Sequence, residues 1–207
     1  MNYFYVFVLE IFVLWRLSSH LRVRLLGHLP LFLYVIFFLP GTFLHEFSHW
    51  LAAKMLFVRV GNFSLNPKQQ GKGVILGSVA IEKTSITKRF IIGISPVFFG
   101  GLILFAIVYF LVAKGLTGNP LLIFLSTYVI FVLANTIFPS KKDLEGAWVV
   151  FIFCVILAIT AHIFGFGVKF VSANELFKHL SLYLLIPVAI DLMVVVALFL
   201  KEEAYHF

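Results

Sequence analysis

His45-Glu46-Phe47-Ser48-His49 sets two imidazoles and a carboxylate at a spacing that suits one kind of chemistry. Histidines four residues apart on a helix stand one turn above the other on the same face, so both can reach a single ion, and zinc is the ion this pattern fits. The glutamate beside the first histidine stands near that face, where its carboxylate could take a proton from a water attacking a carbonyl. His45 and His49 are thus candidate zinc ligands and Glu46 a candidate general base. The run around them is apolar, and histidine and glutamate are costly in lipid unless they bind something or line a cavity.

A catalytic zinc needs a third protein ligand and an open position for water. The chain has two aspartates, Asp143 and Asp191. Asp143 follows the stretch Ala134-Asn135-Thr136-Ile137-Phe138-Pro139-Ser140-Lys141-Lys142 and precedes Leu144-Glu145-Gly146. It reads either as the third ligand or as an ordinary acid in the first turn of a helix. Glu10 and Asp191 fall inside apolar runs, where pairing within the bundle is expected, and His162 and His179 fall near the outer ends of such runs.

The elements that must position these groups are membrane spans. Of 207 residues 62% are hydrophobic and 12% charged, with a mean hydropathy of +1.07, which excludes a soluble domain of this size. The net charge of +7 does not imply a nucleic-acid partner, because the basic residues cluster between apolar runs, as topology signals and lipid-headgroup contacts do. Cys154 is the only cysteine, so no intrachain disulfide is possible. Asn2 to Leu17 reads as a short first span or an interfacial helix, followed by a basic connector from Arg16 to His28. Leu29 to Phe57 carries the motif, with a bend expected at Pro40-Gly41. Residues 58–65 and 73–81 read as a β-hairpin around a turn-like segment, Asn66 to Lys72. Further spans are expected over Phe90 to Ala113, Leu121 to Phe138, the stretch ending about Phe164, and Glu175 to Leu200. The fold class is therefore an all-α polytopic membrane protein, a single integral-membrane domain over residues 1–207. It has about six transmembrane helices and a small membrane-surface hairpin between the second and third. The larger share of lysine and arginine on the hairpin side places both termini in the cytoplasm.

Taken together, these motifs resemble the site-2 protease family of intramembrane zinc metalloproteases. HEFSHWLAAKMLFVRVGNFSL (45–65) is similar to the family's metal motif and following β element, and GISPVFFGG (93–101) to its glycine-proline motif. Asn135 and Asp143 keep the eight-residue spacing of its Asn-x-x-Pro to Asp-Gly motif, although Pro139 comes four residues after Asn135 and Asp143 is followed by Leu-Glu-Gly. The resemblance covers residues 29–146. It implies His45, His49 and Asp143 as ligands of Zn2+, Glu46 as base, and Asn135 as a group that helps hold substrate backbone. The function it implies is hydrolysis of a peptide bond in or near a transmembrane segment of a membrane-protein substrate. The competing class is a non-enzymatic metal-binding membrane protein, either a transporter or a silent regulator that captures helices. Glu46 separates the two, since metal binding alone does not need that carboxylate.

Overall fold

The computed structural model describes residues 3–70, 73–113, 118–140, 142–145 and 174–204, together with positions 147, 152, 156 and 160. Five helices and four strands are described: α1 (Tyr3–His28), α2 (Leu31–Met55), β1 (Val60–Ser64), β2 (Lys68–Gln70), β3 (Gly73–Ile75), β4 (Ser78–Ile81), α3 (Ile86–Ala113), α4 (Pro120–Thr136) and α5 (Asn174–Ala204). Among the described residues four helices, α1, α2, α3 and α5, are long and apolar enough to cross a membrane, against the six expected. At 17 residues α4 is about 25 Å long, short of a hydrocarbon core of about 30 Å. The expected fifth span, with Cys154 and His162, lies outside the described residues apart from isolated positions.

The first helix departs from its expected length. Instead of ending at Leu17, α1 continues through Arg16, Arg22 and Arg24 to His28. Charge does not end a helix; Gly27 and Pro30 do, and both lie beyond the basic stretch. Helix α2 is likewise unbroken across Pro40-Gly41. Gly41 serves packing: a Cβ there would stand 2.3 Å from Thr136 Oγ1 and 2.7 Å from Val132 Cγ1, so only glycine lets α4 come this close.

The end of α2 is shaped by Phe57, whose φ of 55° is left-handed. That conformation costs a non-glycine residue about 1–2 kcal/mol. Two capping hydrogen bonds offset the cost, Phe57 N–H to Lys54 O at 3.0 Å and Val58 N–H to Ala53 O at 2.8 Å, and Lys88 Nζ donates to Leu56 O at 3.0 Å. The chain then enters a hairpin in which β1 pairs antiparallel with β4 and β2 with β3. Part of the segment expected to be a turn, Lys68–Gln70, is thus a strand.

Packing is inside-out in polarity, as lipid requires. Phe32, Ile36, Phe98, Phe124 and Met193 are exposed, whereas Glu10, Ser18, Thr42, Ser48, His49, Asn135, Ser181 and Asp191 are buried. One apolar cluster, Leu21, Tyr34, Phe38, Phe131 and Val132, joins α1, α2 and α4, and a second, Ala52, Ala53, Val58 and Ile92, joins α2 to α3. Between them these clusters fix α2 against the start of α3 and the end of α4, which is where the motif residues lie.

Candidate metal centre

On α2, His45 and His49 stand one turn apart with their Nε2 atoms 3.2 Å from each other. Each ring is oriented from behind through Nδ1. His45 Nδ1 lies 2.6 Å from Thr136 O at the end of α4, and His49 Nδ1 lies 2.8 Å from Ile92 O on α3. A carbonyl oxygen only accepts, so both Nδ1 atoms carry a proton and both Nε2 atoms are turned toward the centre.

Asp143 meets them from the segment after α4. Its Oδ1 is 3.4 Å from His49 Nε2 and its Oδ2 is 3.8 Å from His45 Nε2. The local turn makes this possible: Asp143 and Leu144 N–H both donate to Ser140 O, at 3.1 and 3.2 Å, and Ser140 N–H donates to Asp143 Oδ2 at 2.7 Å. Gly93 on α3 is equally necessary, since a Cβ there would fall 1.9 Å from the Asp143 carbonyl oxygen. The Arg89–Glu145 ion pair at 2.7 Å is exposed and worth no more than about 1 kcal/mol, so backbone fit, not this pair, seats the segment.

Three potential ligand atoms therefore converge, all within 4.8 Å of one another, a group that could hold a metal ion. A tetrahedral ion with bonds of about 2.0–2.1 Å holds its ligand atoms about 3.3–3.4 Å apart, close to the 3.2 Å between the two Nε2 atoms and the 3.4 Å from His49 Nε2 to Asp143 Oδ1. The residues present fit a metal ion. Burial alone would raise the Asp143 pKa, yet the facing His45 and His49 rings and the hydrogen bonding with Ser140 together bring it down to about 2. A carboxylate ionised throughout the ordinary pH range is what a hard metal ligand requires.

Glu46 lines a cavity of about 360 Å³ together with His45, Thr42, Thr136 and Ser140. The hairpin forms one of its walls through Val74 to Gly77. Gly77 lies so close that a Cβ would stand 2.8 Å from Glu46 Cγ, and the Val79 backbone hydrogen-bonds Glu46. The same space thus adjoins a metal-ligand candidate, a carboxylate and a strand.

Asn135 sits elsewhere than expected. Fully buried, it does not line the cavity; its Nδ2 donates to Phe131 O at 3.0 Å and to Asp191 Oδ1 at 2.8 Å. Its backbone oxygen accepts from Arg22 Nη1 at 2.7 Å. Asp191 pairs within the bundle, as a carboxylate inside an apolar run was expected to. Arg22 is the participant that sequence reasoning missed, hidden by being counted with a connector. Comparison of the chain with protein-family models, curated proteins and solved structures finds no match.

Proposed function

We propose that this chain is an intramembrane zinc metalloprotease of the site-2 protease type, hydrolysing a peptide bond in or near a transmembrane segment of a membrane-protein substrate. The observation that carries the proposal is the convergence of His45 Nε2, His49 Nε2 and the Asp143 carboxylate, with His45 and Glu46 on the wall of the adjoining cavity. His45, His49 and Asp143 would hold the ion, and zinc, when bound, supplies Lewis-acid activation of water and of the scissile carbonyl. Glu46 receives the proton released as water adds to that carbonyl and returns it to the leaving nitrogen as the C–N bond breaks. The hairpin holds the unwound substrate segment as an added strand, for a helix keeps its carbonyls engaged and out of reach. Thr136 and Ile92, through their carbonyls, keep the two rings facing the centre. Both termini face the cytoplasm, with the site near that surface.

Glu46→Gln tests this most simply. The protein, reconstituted in vesicles with a fluorogenic transmembrane peptide, should lose cleavage by roughly 10²–10⁴-fold or more while keeping its zinc, because glutamine preserves shape but takes up no proton. Equal cleavage by the variant and the wild type would exclude the mechanism.

A further inference from the structure

Arg22 lines the same cavity as His45 and Glu46, although it comes from α1. A guanidinium has five N–H donors in a planar fork that matches a carboxylate. Here one nitrogen, Nη1, donates to Asn135 O at 2.7 Å. Among the described residues no carboxylate lies within ion-pair distance of it. Asp191 binds Asn135 through the amide, and it is the Asn135 peptide, not the aspartate, that meets the guanidinium. An arginine in a wall that is half apolar, with Phe38 and Leu76 among its lining, forgoes part of its hydration, and a neutral carbonyl returns only part of that loss. The carbonyl does, however, fix where the fork points.

We propose that Arg22 is the specificity-determining residue of this cavity and pairs with a carboxylate carried by the substrate. This rests on the cavity being the substrate cleft. The carboxylate is either an aspartate or glutamate side chain near the scissile bond or the free C-terminus of the substrate chain. In both cases the rest of the bound segment is apolar, as a transmembrane segment is.

Binding tests the pairing without requiring cleavage. The full chain in phospholipid nanodiscs, with chelator present, is titrated with four labelled apolar peptides: one with an internal Glu, the same with Gln, and each with either a free or an amidated C-terminus. A charge-assisted hydrogen bond in a partly desolvated site should give about tenfold tighter binding to carboxylate-bearing peptides. The Glu/Gln ratio identifies a side-chain source, and the acid/amide ratio a C-terminal one. Arg22→Gln should bring the operative ratio to about one, and Arg22→Lys should restore part of it. Equal binding of all four peptides to the wild type overturns the proposal even if Arg22→Gln fails to fold, as does a preference that survives in a folded Arg22→Gln. Cleavage is scored separately against Glu46→Gln, so loss of the hydrolytic reading and loss of the Arg22 pairing are told apart.

Discussion

His45 and His49 each commit one ring nitrogen to a backbone carbonyl, which makes the free nitrogens good ligands and poor hydrogen-bond donors to each other. Their pairing was legible in the sequence because a four-residue spacing has one meaning on a helix. Asp143 was legible only as one of two options, since its approach depends on a turn around Ser140 that no local periodicity announces. Its role can be separated from theirs by pH. A carboxylate lowered to about 2 in the folded chain, from about 3.9 unfolded, contributes stability that is present above pH ~4 and lost only as pH falls through 2. Asp143 should therefore stay ionised, and available to a cation, at every pH above about 4. Infrared carboxylate bands compared with Asp143→Asn should show no protonation of this group between about pH 7 and pH 4, and its protonation in that range would contradict this.

Among the elements, α3 has the narrowest tolerance. Ile92 orients His49, and the next residue, Gly93, lets the Asp143 segment lie against the helix. Gly93→Ala should displace that segment and weaken zinc roughly 10–100-fold, as loss of a supporting contact does, while leaving the helices formed. Competition with a fluorescent chelator reads the affinity, and circular dichroism checks the helices. Unchanged affinity would mean that Gly93 is not needed for the approach of the third ligand. A glycine-rich motif was visible in the sequence at 93–101, but what it packs against was not, because close approach is a property of two segments distant in the chain. The hairpin was visible for the opposite reason: its strands are near neighbours with a turn between them. The length of α1 was misjudged because arginines read as a boundary, whereas Arg22 turns inward to Asn135 and the helix runs on.

At the scale of the molecule, the hairpin, the start of α3 and the segment after α4 gather around the motif, with Gly77 against Glu46, Gly93 against Asp143 and Gly100 against Ile137. The membrane class was legible from composition alone, and four of the expected spans are long apolar helices among the described residues. Single cysteines placed at positions 68 and 118 in a Cys154→Ser background should react with an impermeant maleimide from opposite sides of the membrane, position 68 from the cytoplasm. Labelling of both from one side would contradict the topology. The central claim is a metal centre built by two distant parts of the chain, and metal analysis of purified protein tests it most directly. The wild type and Glu46→Gln should carry about one zinc per chain, and His45→Ala, His49→Ala and Asp143→Asn should each lose most of it. Zinc content unchanged by all three ligand substitutions would contradict the account.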